Sequence, residues 1–171
     1  MNNKMNLPPY PIFPVITNDN LTLRQIGPDD MHDITAISYY DAVQATTAAQ
    51  AAVMQQKINE DYLDGESIHW GIVDKITNKI VGTCGYYRGF ENAAGELGCI
   101  LLPQHYGKGY MTHAMELAIC FGFETIGLQR IWAETDTANA NAIKLLERLN
   151  FIKTLTTTDS VTFELNKPQH L

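Results

Sequence analysis

The sequence is poor in the features that mark several large protein classes. Cysteine occurs only at Cys84, Cys99 and Cys120. The number is odd and none stands in C-x-x-C spacing, which argues against a disulfide framework or a zinc site. No apolar run approaches the ~18 to 20 residues that a membrane span needs. Proline crowds the start, at Pro8, Pro9, Pro11 and Pro14, and leaves no apolar signal core there, so a cytoplasmic location is expected. Positive charge is scarce, with 12 Lys and Arg against 19 Asp and Glu and a net charge of −7. That balance argues against nucleic acid as a direct partner and favours a cationic substrate. Neither the P-loop pattern nor the G-x-G-x-x-G of a dinucleotide fold occurs.

What is present fits a folded chain of ordinary size. Of 171 residues, 45% are apolar and 18% charged, a globular balance rather than a disordered one. Residues 1–19 read as an extended lead-in over the surface, and 20–171 as a single domain. Leu21 to Ile26 alternates apolar and polar, a first strand. Gly27-Pro28-Asp29-Asp30 turns into a helix with Met31, Ile34 and Ile37 on its apolar face. Tyr39 to Asp64 is rich in alanine and glutamine and reads as helix with a break near Thr46-Thr47, ended by Gly65. Strands are expected at 68–73, 80–87 and 96–102, the first two joined by a turn at Thr77-Asn78-Lys79 and the third entered through a turn at 91–95. Gly82 and Gly85 inside the second imply a bulge or close packing. A helix at 111–125, a strand at 130–135, a helix at 139–149 and strands at 151–155 and 161–165 complete an α/β chain with a mixed sheet.

One stretch organises the rest: Leu101-Leu102-Pro103-Gln104-His105-Tyr106-Gly107-Lys108-Gly109-Tyr110-Met111-Thr112. Pro103 cannot donate to a ladder and stops the strand. Two glycines one residue apart then lead into a helix whose first N–H groups lack internal partners and carry partial positive charge. Glycine lets an anion approach the backbone, and Lys108 adds a full charge. A phosphate is the natural occupant.

Read from Gln104, this loop is Q-x-x-G-x-G. It resembles the pyrophosphate loop of the GNAT superfamily, the acyl-CoA-dependent N-acyltransferases. A second block, Arg130-Ile131-Trp132-Ala133-Glu134-Thr135-Asp136 leading to Asn139 through Phe151, is similar to the superfamily's ribosomal-protein N-terminal (alanine/serine) acetyltransferase-like branch. So are Glu96-Leu97-Gly98 and the run GKGYMTHA. The resemblance covers roughly residues 20 to 165. Four departures stand out: Asn150 for the usual glycine cap, Ala142 for serine, His113 for glutamate, and Leu146 where other branches carry a tyrosine acid.

The resemblance implies the GNAT fold, a mixed sheet of about seven strands with about four helices, splayed at the acyl-CoA site. It implies acetyl-CoA as cosubstrate, no metal, and transfer by direct attack of a primary amine, either the N-terminus of a ribosomal or other protein or a small amine. A homodimer is compatible with it. The cofactor would be held by Ile100, Leu101, Leu102, Gln104, Tyr106, Gly107, Lys108, Gly109, Tyr110, Met111, Thr112 and Asn139. A backbone N–H of the strand 100–102 would face the thioester oxygen. An amine of pKa about 10.4 must lose a proton before it attacks, and Glu96 is the candidate acceptor. Glu96 read alone is equally an edge carboxylate or a binder of cations.

Other residues keep two readings. Asn139 either caps its helix or touches the pantetheine, and one side chain can do both. Tyr106 and Tyr110 pack beside the loop or act as acids. His105 faces solvent, His113 is a first-turn residue near phosphate, and Cys99 is packing rather than nucleophile. Tyr86, Tyr87, Arg88 and Phe90 line an acceptor groove or form an exposed hairpin, and Trp70 and Trp132 are core or groove wall. The rival to an enzyme is a non-catalytic acyl-CoA-binding sensor on the same fold.

Overall fold

A computed structural model describes residues 4–169. The chain opens with the short strand β1 (Ile16–Thr17), which pairs with β2 (Leu21–Arg24). The lead-in is tied down more firmly than an extended surface segment. Asn6 N–H donates to Ile126 O (2.9 Å), Tyr10 N–H to Tyr62 Oη (2.9 Å) and Trp70 Nε1–H to Pro14 O (3.0 Å). Positions 1–3 of the lead-in and 170–171 of the expected domain lie outside the described residues.

Gly27 to Asp30 makes a reciprocal cap, with the Asp30 carboxylate accepting from Gly27 N–H (2.8 Å) and held by Arg24 (2.8 Å). This starts α1 (Met31–Ile34), which has single 3-10 turns at either end. The expected long helix over 39–64 is corrected here. Its first part is a hairpin of β3 (Tyr39–Tyr40) and β4 (Val43–Gln44), turned by Asp41 and Ala42 at φ 48° and 63°. Only then does α2 (Ala48–Leu63) begin, capped by Thr47 Oγ1 accepting from Gln50 N–H (3.2 Å). Residues 39–47 hold only two alanines, Ala42 and Ala45, among Tyr39, Tyr40, Val43, Thr46 and Thr47, which favour strand; the alanine- and glutamine-rich run begins at Ala48, where Thr47 caps it.

Next come β5 (Ile68–Asp74), β6 (Ile80–Tyr87) and β7 (Ala94–Leu101), all antiparallel neighbours. A bulge lies where Ile72 and Val73 meet β6, while Gly85 marks close packing, since a Cβ there would collide with Ile68 O. α3 (Tyr110–Phe121) continues as a π-helical turn over 122–126. β8 (Arg130–Asp136), α4 (Ala140–Arg148), β9 (Ile152–Thr156) and β10 (Ser160–Asn166) follow. Asn150, at φ 65°, supplies the left-handed residue after α4 that asparagine tolerates best after glycine.

The main sheet runs β1-β2-β5-β6-β7-β8-β10-β9. Its eight strands fit the expected mixed sheet of about seven, with two lead-in residues adding an edge. The α3 and α4 helices cover one face: Tyr86 Oη donates to Ala118 O (2.7 Å), and Leu145 and Leu146 join Ala133 and Phe163 in the larger core. On the other face α1 and α2 bury Ile26, Met31, Ile34, Ile37 and Leu102. That second cover stops short of β8, and the gap is where the site lies.

Candidate active site

The sheet divides at one point. Among the described residues β7 and β8 are its only parallel neighbours, and they pair at Ala94↔Arg130, Gly95↔Ile131 and Glu96↔Trp132. From Leu97 onward β7 pairs with β6 alone, and β8 with β10 alone. Backbone groups of β7 that would have met β8 are therefore left facing a cleft. Alternation along an antiparallel strand says which ones. Leu102 N–H is used on Val81 O (2.9 Å), toward β6, so the N–H groups of Leu101 and Cys99 point the other way.

The cleft leads to the loop. Pro103–His105 forms a single 3-10 turn, then Gly107 and Gly109 take φ 74° and 80°, a region that side chains other than glycine enter at a cost. The first backbone bond of α3 is donated by His113 N–H to Gly109 O (3.2 Å). The N–H groups of Tyr110, Met111 and Thr112 are thus the orphan donors of the helix start. No acidic residue lies between Pro103 and Thr112, so nothing there opposes an anion.

A groove of about 1190 Å³ runs from this loop along the split, with α4 on one side and α1, the β3–β4 hairpin and α2 on the other. Its acidic lining comes from Asp41, Asp61, Glu66, Glu96 and Glu134; its basic lining comes from Arg88, Lys144 and Arg148. A side pocket of about 350 Å³, lined by Trp132, Arg130 and Glu164, adjoins it. Tyr87, Arg88 and Glu96 line both. Glu96 therefore stands at the fork itself. Its side chain is 13% exposed, and Arg88 Nη1 lies 3.4 Å from Oε2. That approach lacks hydrogen-bond geometry, and Oε2 has no hydrogen-bond partner among the described residues. Burial raises the carboxyl's pKa above the ordinary value; Arg88 pulls it down and Glu134 pushes it up.

Two groups on the same groove share this condition. Ser67 Oγ and His69 Nδ1 are buried, belong to residues that line the groove and have no partner among the described residues. Burial lowers the His69 pKa to about 4, so its ring is neutral at physiological pH. The Cys99 thiol, also on the groove wall, is pushed well above its usual range by burial and by Cys84, which leaves it a poor nucleophile.

Comparison with known proteins agrees with this geometry. The family model described as "Acetyltransferase (GNAT) domain" matches residues 20–152. The chain belongs to the GNAT acetyltransferase family. A relative from Bacillus licheniformis, named as an uncharacterized N-acetyltransferase p20, is 34% identical over 143 residues, 79% of this chain and 80% of the relative. A solved structure of a proposed ribosomal-protein-serine acetyltransferase from Vibrio cholerae superposes with a TM-score of 0.77 at 19% identity, over 90% of this chain and 97% of that one. A dodecameric spermidine N-acetyltransferase, also from Vibrio cholerae, gives 0.70 at 18% identity, over 87% and 95%. The chain is accordingly an acetyl-CoA-dependent N-acetyltransferase with the GNAT fold.

In this GNAT chain the residues expected at the site divide into two sets. Glu96, Ile100, Leu101, Tyr106, Gly107, Gly109, Met111, Thr112 and Asn139 line the groove. Leu102, Gln104, Lys108 and Tyr110 do not. Leu102 is buried in the cluster under α1 and α2, while Gln104 and Lys108 are exposed. The phenol of Tyr110 is raised by burial and by Asp74, to which it turns. Asn139 caps α4, accepting from Ala142 N–H (3.1 Å), and also lines the groove. His105 is not solvent-facing: it packs edge-on to Tyr110 at 5.9 Å with Nδ1 buried. His113 turns away from the groove to Asn20 (3.3 Å). Tyr87 and Arg88 are groove residues, but Tyr86 and Phe90 are core.

Sequence reasoning missed Ser67, His69, Glu134, Lys144 and Arg148. Lys144 and Arg148 carried a signal, four residues apart on an amphipathic helix next to Asn139. His69 carried only its place in the alternation of β5, and Ser67, just ahead of that strand, carried no signal. Among the described residues no cluster of His, Cys, Asp and Glu is placed to hold a metal, and no helix is long and apolar enough to cross a membrane.

Proposed function

We propose that this chain acetylates a primary amine by direct attack, with Glu96 taking the amine's proton. The observation that carries this reading is Glu96 at the fork of β7 and β8, largely buried, with Oε2 near Arg88 but accepting no hydrogen bond among the described residues. A base must lie where the amine meets the thioester and must have a pKa nearer the working pH than an ordinary carboxylate's. Burial moves Glu96 that way.

The remaining parts follow from chemistry. Acetyl-CoA, when bound, supplies an activated acyl group and a thiolate that leaves readily, since thiol pKa values lie near 8.5. The free N–H groups at the start of α3 suit its pyrophosphate, and the unpaired edge of β7 suits its amide-bearing arm. Leu101 or Cys99 N–H is the donor for the developing oxyanion. Leu146 occupies the α4 position of the missing tyrosine, and a good leaving group makes that acid dispensable. Five carboxylates along the groove draw a cationic amine toward the fork. The acceptor is a protein N-terminus or a small amine, in keeping with the names of the two Vibrio cholerae structures.

A sensor reading draws on one observation, the Arg88–Glu96 ion pair, which occupies the would-be base. Calorimetry with acetyl-CoA, CoA and ATP, followed by turnover assays on an amine panel, separates the two. Micromolar binding of acetyl-CoA but not ATP, with acetylation of any amine, upholds the transferase. Tight binding without turnover of any amine favours the sensor.

A further inference from the structure

The acceptor side of the groove has a polar lining that the reaction itself does not require. Ser67 is 5% exposed, and its Oγ has no partner among the described residues. It immediately precedes β5, and His69 follows two residues later, within β5, its Nδ1 likewise enclosed and unpartnered among the described residues. A buried polar atom left unsatisfied is costly, so two such residues lining one groove mark a place where something else completes the bonding.

The surroundings are built to hold these groups in place. His69 pairs with Gly85, and Gly85 with Gly98, so this row of the sheet has no side chains on β6 and β7. The His69 ring lies over the first gap, where a Cβ on Gly85 would stand 3.2 Å from its Cδ2. The Tyr87 ring lies over the second, where a Cβ on Gly98 would stand 2.8 Å from its Cε2. The two rings meet at 5.4 Å, tilted 55°. His69 is on β5 and level with Gly98 of β7, so it lies two strand spacings across the sheet and two residues along it from Glu96, or roughly 10 to 12 Å.

We propose that Ser67 and His69 form a second acceptor subsite, which binds a hydrogen-bonding group of the acceptor molecule roughly 10 to 12 Å from the amine at Glu96. The subsite rests on the transferase reading above. It selects acceptors with a second polar group, such as the backbone amide of a peptide or a second nitrogen, over simple alkylamines.

The test is steady-state kinetics with three acceptors: an alanine-initiated peptide, spermidine and n-butylamine. The enzymes are wild type, Ser67→Ala, His69→Phe and His69→Asn. His69→Phe keeps a ring without nitrogen, whereas His69→Asn puts an amide near the place of Nδ1. Loss of a hydrogen bond to a ligand predicts a rise of about 10-fold in KM for the peptide or spermidine with His69→Phe, and less with Ser67→Ala. His69→Asn should recover most of it, n-butylamine should be indifferent, and the acetyl-CoA Kd should not move. The subsite is overturned if His69→Phe leaves amine KM at the wild-type value, which means water alone fills the place. It is equally overturned if Asn does no better than Phe, or if n-butylamine suffers alike. Should wild type acetylate none of the three, the transferase reading fails, and calorimetry of each amine into CoA-loaded protein decides the subsite: weaker binding by His69→Phe upholds it and equal binding overturns it.

Discussion

The cofactor end and the acceptor end of the groove share a sheet face but are made of different atoms. At the cofactor end the functional groups are backbone: the N–H groups opening α3, two glycines with positive φ, and the freed edge of β7. At the acceptor end they are side chains delivered from separate strands, Ser67 and His69 from the β5 side, Tyr87 from β6 and Glu96 from β7. A backbone site needs a turn of fixed shape, and fixed shape demands particular residues at fixed spacing. A side-chain site needs only that strands of right register lie together, and the residues between are free to vary. The cofactor end is thus the half whose shape dictates its residues, and the acceptor end is the half whose residues the shape leaves free.

The largest effect expected falls on the acceptor end. Glu96→Gln should lower kcat by about 10²- to 10⁴-fold while leaving the acetyl-CoA Kd unchanged. Thermal stability at pH 7 should hold or rise. The raised pKa of Glu96 means that the fold disfavours its ionised form, and a neutral amide removes that burden. Turnover that survives in Glu96→Gln removes Glu96 as the base and leaves it a binder of cations.

The mirror-image variant is Gly107→Val combined with Gly109→Val. Space is not the obstacle, since a Cβ on Gly107 would meet nothing within 4 Å and one on Gly109 only His113 at 3.8 Å. The cost is conformational, about 1 to 3 kcal/mol at each positive φ. The loop should relax away and weaken acetyl-CoA binding on the order of 10²-fold in calorimetry. Its melting temperature should change little, because the loop is exposed. Undiminished acetyl-CoA binding by the folded double variant would move the phosphate site elsewhere.

These two variants also trace what was readable in the sequence. Gln104, Gly107 and Gly109 show a turn because few residues can replace glycine there, and Asn139 shows a helix start because few residues cap one. The element order followed from alternation and turn residues in the same way. The hairpin at Tyr39–Gln44 was not readable: its turn uses Asp41 and Ala42 at positive φ, where glycine or asparagine would have announced it. The extra edge strand is two residues long, too short for a pattern. Adjacent Tyr86 and Tyr87 look alike in sequence, yet one reaches Ala118 in the core and the other the groove; β6 is buried on both faces, so no apolar–polar alternation tells them apart. His69 was invisible for a related reason, since a half-buried strand position shows nothing of the glycines on the two strands beside it.

A smaller effect should appear on the α4 wall. Lys144 and Arg148 are exposed and face the groove beside Asn139. Exposed charges contribute about 0 to 1 kcal/mol, so Lys144→Ala with Arg148→Ala should weaken acetyl-CoA by roughly 2- to 5-fold, and the deficit should vanish at high salt. If amine KM moves instead, these cations belong to the acceptor end and the division of the groove must be redrawn.

The most delicate test is Arg88→Ala, because it touches Glu96 without altering it. Arg88 lies 3.4 Å from the carboxylate and holds its pKa down against burial and Glu134. A base works only when deprotonated, so activity is lost as pH falls through its pKa. Without Arg88 the Glu96 pKa rises, and the acid limb of kcat/KM should move to higher pH with the plateau nearly unchanged. A limb that stays in place would mean the titrating group is not Glu96, even if Glu96→Gln is inactive. A plateau that collapses would mean Arg88 itself meets the acceptor, which would extend the side-chain half of the groove past the fork into the pocket beside Trp132.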